Sequence, residues 1–529
     1  MPDEKQSSGR GAAVVGAGIL LSRLLGLVRQ RLLAHYFGTT PAGAAFLAAL
    51  RIPNFLQNML GEGVLSASFI PVYAGLRAKK DEESAQLVAG AVFGLLCVAN
   101  AVLVAVGILA APLLVTLLAP GFAPETRELM TTLVRLFFPA TGVLVLSAWC
   151  LGVLNSHRRF FLSYAAPVLW NVCIIGALLL WQSDVVMIAL GVVAGGVVQF
   201  LVQVPLTLKL LGRFRPSVSL KNEHVRQVFK SFGPAVTARG VVQISSFLDQ
   251  IWASFAGERA GAILFHTQTI SMLPVSLFGM AISASELPAM SEDAATRKDA
   301  LKARLQAGLE RLVFLVIPSA AAFLFLGDVI AAPLLESGHF KAADTRVAWY
   351  VLVGSAVGLT ASTQGRLYSS AFFALKDTKT PLKFAVMRVV ISAGLAAAAV
   401  TQLPALLGVP QHIAVAGIAA ASGIAAWAEY LALRRALGAH LGDVGVRLTR
   451  IAHLWGAALA AGLAAACVKF ALSVRFGAAI TAEPGGLLLP APQLSPLLVA
   501  PIVVGVFGIV YFALTPNIWK KVLRRRSMK

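Results

Sequence analysis

Uncharged apolar runs long enough to cross a bilayer recur along this chain, and no other feature limits its fold so strongly. Val88–Leu118 and Val389–Leu407 contain no Asp, Glu, Lys or Arg. About 20 such residues cover the roughly 30 Å hydrocarbon core at 1.5 Å per residue. Only 13% of the 529 residues are charged and 58% are hydrophobic, against roughly 25% charged in soluble domains. The pattern predicts an all-α integral membrane protein of about fourteen transmembrane helices. They are expected near 12–34, 44–76, 86–118, 128–154, 161–181, 185–211, 232–256, 260–289, 312–334, 345–374, 384–407, 411–437, 451–473 and 494–516. Pro53 and Gly61-Glu62-Gly63 predict a bend or break in the second span.

The formal net charge of +21 would suggest nucleic acid in a soluble protein. Its distribution argues otherwise. Alternate loops hold 31 Lys and Arg on one side, in the stretches around Arg77–Lys80, Arg158-Arg159, Lys209–Lys230, Arg297–Arg311, Lys376–Lys383, Arg434–Arg450 and both tails. The other side holds five: Arg127, Arg259, Lys341, Arg346 and Arg475. Cytoplasmic loops are enriched in this way, so both termini are expected in the cytoplasm, and no nucleic-acid partner is called for. The polar opening lacks a signal peptide's cleavage site and reads as a retained tail. The amphipathic stretch Asp293–Leu312 reads as a cytoplasmic surface helix between two spans.

Ser66-Ala67-Ser68-Phe69-Ile70-Pro71 recurs 217 residues later as Ser283-Ala284-Ser285-Glu286-Leu287-Pro288. Gly16 aligns with Gly233, and the basic turn around Asn155–Asn171 aligns, at a nearby offset, with Leu375–Ile391. Together these matches predict a duplicated six-span unit. The expected organisation is a tail at 1–11, an N-lobe at 12–220, a C-lobe at 221–437, two further spans in 438–516 and a basic tail at 517–529. An even number of spans per half makes the lobes parallel, with a central cavity between them.

A charge at mid-bilayer costs from ~3 to more than ~10 kcal/mol, so such residues usually face a cavity. Arg23 and Arg29 in the first span and Arg51 in the second are the leading candidates. Glu62, Arg239 and Arg366 are further cavity candidates. Arg31, Arg135 and Arg388 read as snorkelling residues near span ends. Guanidinium forks bind phosphate oxygens bidentately and stay charged. The acidic residues Glu62, Asp249, Glu286, Asp328 and Glu429 are fewer, and most fall toward span ends. An excess of cations favours an anionic substrate over a cation or drug. No GxxxxGK[ST], HExxH or GxSxG motif is present, so neither nucleotide-driven nor hydrolytic chemistry is indicated. The four cysteines and His266 read as packed span residues. No metal site or cofactor is expected, and energy must come from an ion gradient, the membrane potential or consumption of product.

Ser22-Arg23-Leu24-Leu25-Gly26-Leu27-Val28-Arg29, Arg51-Ile52-Pro53-Asn54-Phe55-Leu56, Gly61-Glu62-Gly63, Ala119-Pro120-Gly121-Phe122, Gly338-His339-Phe340 and Asp377-Thr378-Lys379-Thr380-Pro381 resemble the lipid II flippase family (MurJ/MviN) of the MOP exporter superfamily. The resemblance covers nearly the whole chain. It implies a flippase rather than an enzyme, moving undecaprenyl-pyrophosphate-linked peptidoglycan precursor from the cytoplasmic to the periplasmic leaflet of a bacterial inner membrane by alternating access. It assigns Arg23 and Arg29 to the pyrophosphate and the last two spans to the lipid tail. Membrane lipids, and cell-wall synthesis enzymes, are the partners it suggests. The chain departs from the family pattern at Ala44, Gln57 and Asn58, and at Gln268, Thr269 and Met272, where the family often has an Asp-Arg pair and a glutamate. Arg239 or Arg366 could replace the lost cation. The departures leave open another polyprenyl-pyrophosphate oligosaccharide as substrate, or a non-transporting scaffold.

Overall fold

A computed structural model of the chain describes residues 21–476, 478–479, 491–492, 494–516 and 518. The expected tails at 1–11 and 517–529 lie outside these, apart from residue 518. The described chain is a succession of helices: α1 (21–36), α2 (Pro41–Leu60), α3 (Glu62–Ala78), α4 (Glu82–Leu118), α5 (Pro124–Ser156), α6 (Phe160–Trp181), α7 (Val185–Leu211), α8 (Glu223–Phe255), α9 (Glu258–Pro274), α10 (Ala281–Thr296), α11 (Lys298–Leu335), α12 (Ala342–Ala374), α13 (Lys379–Thr401), α14 (Leu403–Leu407), α15 (Ala414–Leu441), α16 (Leu448–Phe476) and α17 (Pro496–Leu514). One π turn, Val275–Met280, joins α9 to α10.

Ten helices among the described residues are long and apolar enough to span a membrane, with α9 and α10 counted as one. Four further candidates fill the expected fourteen: α1, the α2–α3 pair, α8 and α12. These four carry Arg23, Arg29, Arg51, Arg239 and Arg366, the arginines singled out from the sequence.

Local chemistry fixes many boundaries. Thr40 caps α2 by accepting from the Gly43 N–H at 3.2 Å, with Pro41 in the first turn. Asp81 caps α4 through the Ser84 N–H at 3.0 Å. Asp377 accepts from the N–H groups of Lys379 and Thr380 at 3.0 Å at the start of α13. Short polar side chains at these positions satisfy the amides a helix start leaves open.

The second span breaks at Gly61 and passes through Pro53 as helix. A Cβ on Gly61 would lie 2.4 Å from the Gln57 carbonyl oxygen, so the turn needs glycine. The repeat offset of 217 places the π turn Val275–Met280 on residues 58–63, across that break. The corresponding span of each half is thus interrupted at the same place, and the Ser-Ala-Ser segments follow in α3 and α10.

The chain forms two compact units, 1–254 and 255–529. In the first, α5 is the central helix, and α3, α4, α7 and the start of α8 bury Phe69, Tyr73, Val88, Val92, Leu211 and Val228 around its Trp149 and Val153. The connector before α8 lies against α4. Gly90 accepts from the Ser217 N–H at 3.2 Å, and a Cβ at Gly90 or Gly94 would lie 2.2 Å from a connector carbonyl. On Arg77, Nη1 donates to the Ser156 carbonyl at 2.7 Å, beside a 3.0 Å hydrogen bond between Tyr73 Oη and His157 Nε2.

The second unit is organised on α12, which crosses α15 where Gly358 meets Gly423. A Cβ on Gly358 would lie 2.2 Å from the Gly423 Cα, the close approach that small residues permit between membrane helices. The stretch Asp293–Leu312 is not a separate surface helix. Its first residues end α10, and the remainder opens α11, with Leu301, Leu305 and Leu309 fully buried. Their four-residue spacing puts an apolar stripe on one face of a helix that continues into the span. Some of its charges pair with α10: Glu286 bonds Arg311 at 3.0 Å and lies 3.6 Å from Arg304, which also pairs with Asp293.

The last two spans pack on α11. Tyr511 Oη donates to the Phe314 carbonyl at 2.8 Å, and Arg450 pairs with Glu310 at 2.7 Å. Deeper in, Lys469 of α16 is fully buried, bonded to Asp328 at 2.5 Å and centred 4.9 Å over the Trp349 ring. Trp349 Nε1 donates to the Phe323 and Leu324 carbonyls, next to the non-helical Leu326 that kinks α11. Cys150 is buried as expected, whereas Cys467 is exposed on α16.

Two outcomes follow from this packing. Lys469→Met strands the Asp328 carboxylate and should cost about 3–5 kcal/mol, read as a lower melting temperature of the purified protein, whereas pairing it with Asp328→Leu should recover most of the loss. At the turn between α5 and α6, burial, then Arg77 and Arg159, holds the His157 imidazole down to about 4. A base depressed in the folded state destabilises the fold only where the unfolded chain takes the proton first. Melting temperature should therefore fall between about pH 6.5 and 4, and His157→Gln should flatten that slope.

Candidate functional site

Within the first unit, the opening helices hold their arginines in different ways. Arg29 is half-buried. Its Nη1 donates to Asn171 Oδ1 at 2.9 Å, and its guanidinium carbon lies 5.1 Å from the centre of the Trp170 ring. Both partners are on α6 and are themselves fixed: Asn171 Nδ2 donates to the Pro167 carbonyl and Trp170 Nε1 to the Val192 carbonyl. Among the described residues no carboxylate acts on Arg29 and its buried Nε has no partner. The described groups that position the guanidinium are neutral.

Arg51 is 9% exposed, and its Nη1 donates to the Ser246 carbonyl of α8 at 3.1 Å. Asp249, one turn further along α8, acts on it electrostatically. Phe55 packs edge-on against Phe247 at 4.7 Å, so a ring pair, one turn from Arg51 on α2 and adjacent to Ser246 on α8, flanks this contact. α8, assigned by the repeat to the second half, is thus joined to α2 in the first compact unit.

Arg23 is exposed on α1. Its sequence spacing from Arg29 already turned it about 120° away around the helix. The side chains of Glu62 and Arg239 lie outside the described ones. Arg366 is half-buried on α12 in the second unit, near Arg388 and Glu429. Arg388 is not a free snorkelling residue: it pairs with Glu429 at 3.1 Å across α13 and α15. Gln268 and Thr269 are half-buried on α9, and Met272 is exposed. His266 is fully buried with its ring edge-on to Phe340 at 5.6 Å, as a packed histidine. The sequence missed Trp170 and Asn171 as partners of Arg29, because they lie in a span otherwise read only as apolar.

A guanidinium held from one side by neutral groups, and another anchored on a backbone carbonyl, can each present remaining N–H donors to phosphate oxygens. The fold has known counterparts. The sequence model of the family described as Lipid II flippase MurJ matches residues 33–488. The chain belongs to the lipid II flippase MurJ family. Its relatives include a Lipid II flippase MurJ of Burkholderia cenocepacia, 32% identical over 71% of this chain and 75% of that protein. A Probable lipid II flippase MurJ of Rhizobium meliloti is also 32% identical, over 87% of this chain and 86% of its own. Among solved structures, a Lipid II flippase MurJ in an inward closed conformation superposes with a TM-score of 0.76 at 22% identity, over 97% of this chain and 100% of that one. An inward-facing multidrug resistance MATE family transporter of the MOP superfamily gives 0.65 at 18% identity, over 81% and 98%. These two likenesses concern the fold.

The Arg29 clamp can be probed in this MurJ family member with inorganic pyrophosphate. Ligand binding raises apparent stability as RT ln(1 + [L]/Kd), so millimolar pyrophosphate should raise the melting temperature of the wild type. Arg29→Leu should retain a similar unliganded melting temperature and lose most of the shift. An undiminished shift would remove Arg29 from the anion site.

Proposed function

We propose that this chain flips lipid II, the undecaprenyl-pyrophosphate-linked peptidoglycan precursor, from the cytoplasmic to the periplasmic leaflet of a bacterial inner membrane. The observation that carries the reading is Arg29, held on the neutral Trp170 and Asn171 with no carboxylate among the described residues acting on it. Arg29 and Arg51 bind the pyrophosphate, and Arg23 meets it where α1 is open. Membership of a family whose members are named lipid II flippases supports the substrate. The Lys and Arg asymmetry of the loops supports placing both termini in the cytoplasm.

The physical logic is differential affinity. A diphosphate brought to Arg29 supplies a counter-charge, and the bidentate, charge-assisted geometry is about twice as strong as a neutral hydrogen bond. The polyprenyl tail stays in hydrocarbon, so only the polar head has to be carried. Alternating access by the two repeated halves then exposes the head on the opposite side. Glu62 and Arg239 are assigned to the same polar path. The helices α16 and α17 accompany the lipid tail, and cell-wall synthesis enzymes receive the product.

The exposed Met272, in a span where the family often carries charge, keeps a second glycolipid substrate in view. Depletion of the protein in its own host discriminates between the two. Lipid II should accumulate in the cytoplasmic leaflet and be cleared on re-expression of the wild type, whereas Arg51→Ala should clear it at least about tenfold more slowly, the loss of one buried charge-assisted contact. Accumulation of a different polyprenyl-linked glycan would reassign the substrate, and no accumulation would remove the transport function.

A further inference from the structure

The second unit contains a separate cluster of charge inside the helical spans. Arg388 of α13 bonds Glu429 of α15 at 3.1 Å, and Glu429 is only 13% exposed. Ser392 and Ser422 share a hydrogen bond at 2.9 Å one turn from Arg388 and two turns from Glu429, so the two helices are locked in register around the pair. Arg366 of α12 lies within electrostatic reach of both. Its backbone carbonyl accepts from the Ser370 hydroxyl at 3.1 Å, but its guanidinium makes no hydrogen bond to any described residue. Two guanidinium groups therefore share one carboxylate.

Depth makes the imbalance consequential. Within the expected spans 345–374, 384–407 and 411–437, Arg366 lies about 12 Å, Arg388 about 6 Å and Glu429 about 12 Å from the nearer span end, at 1.5 Å per residue. An unbalanced charge at such depth is costly and calls for a counter-ion. Snorkelling does not readily relieve it for Arg366. The Cα–Cβ bonds of a helix tilt toward its N-terminus, so this side chain leaves α12 heading away from the nearer end. α12 is otherwise the best-buried helix of the unit, and Arg366 lies on a half-open stripe with Ser362, Ser369 and the exposed Phe373, at helical spacings of four, three and four residues. The stripe combines unused N–H donors with a hydroxyl and an aromatic edge.

We propose that Arg366 and Arg388, oriented by Glu429, form an anion site that takes a phosphate group carried on a lipid. Glu429 fixes the Arg388 fork by a direct bond and reaches Arg366 only electrostatically. The second cation remains available for phosphate oxygens, which match the planar guanidinium bidentately. The depth of the site favours a phosphate that arrives attached to an acyl or prenyl chain over a free ion, because a bare ion would have to shed its water. A phospholipid headgroup and a polyprenyl pyrophosphate share this chemistry. The site stands whichever of them occupies it, independently of whether the chain is a lipid II flippase.

The test uses the purified full-length protein and two probes, phosphatidylglycerol and undecaprenyl pyrophosphate, titrated separately by native mass spectrometry with phosphatidylcholine as background lipid. Arg366→Gln should weaken at least one probe about tenfold, as expected for loss of a charge-assisted contact, while the lipid-free melting temperature stays close to the wild type. A selective loss of phosphatidylglycerol assigns the site to a membrane lipid, and a selective loss of undecaprenyl pyrophosphate assigns it to the carrier. Should Arg366→Gln fail to fold, Arg366→Lys keeps the charge beside Glu429 and removes the fork. It should weaken the same probe at least about twofold. Unchanged binding of both probes in whichever variant folds would overturn the site.

Discussion

Charge in hydrocarbon has to be answered by something, and the arrangement of this molecule follows from how each intramembrane charge is answered. Lys469 is answered by Asp328 and the face of Trp349, Arg388 by Glu429, and Arg51 by the Ser246 carbonyl with Asp249 nearby. Each of these joins helices distant in sequence, so the cost of burying a charge becomes a constraint on which helices are neighbours. Arg29 is answered differently: its described partners are an amide oxygen and an indole ring, which orient the guanidinium without neutralising it. A fold that pairs most of its described buried charges and orients a cation on neutral groups is equipped to receive an anion.

The same economy explains the interrupted spans. The break at Gly61 and the π turn at Val275–Met280 fall at equivalent positions of the two halves. Each frees backbone groups at membrane depth and introduces a bend in a span whose continuation, α3 or α10, carries the repeated Ser-Ala-Ser segment. Helix irregularities of this kind are tolerated where they serve function. The kink at Leu326 is stabilised differently, by Trp349 donating to the carbonyls before it and by the Lys469–Asp328 bond after it.

Much of this was legible in the sequence, because apolar runs and the energetic penalty on buried charge are one-dimensional signals. The helical spans and the broken second span were readable, and Arg29 and Arg51 stood out as charges within spans. The pairings were not. Asn171 lies 142 residues from Arg29 and Lys469 lies 141 from Asp328, and no periodicity links residues across such separations. Lys469 was nevertheless visible as a lysine in an otherwise uncharged run of α16, a signal that pointed to a buried partner. Arg388 was read as a snorkelling side chain because distance from a span end cannot reveal a carboxylate on a neighbouring helix. The stretch Asp293–Leu312 was misassigned as a surface helix because its apolar face meets protein, where an amphipathic pattern alone is equally compatible with a membrane surface.

The central claim is that a guanidinium held by neutral partners in the first unit captures the diphosphate of a lipid-linked sugar and allows it to cross. Translocation of fluorescent lipid II in proteoliposomes, followed by quenching of the probe that reaches the outer leaflet, tests this most directly. The account predicts transport by the wild type, near loss with Arg29→Ala combined with Arg51→Ala, and unaltered behaviour of a fluorescent phosphatidylcholine throughout. Equal lipid II transport by the doubly substituted protein, at equal reconstitution, would contradict it.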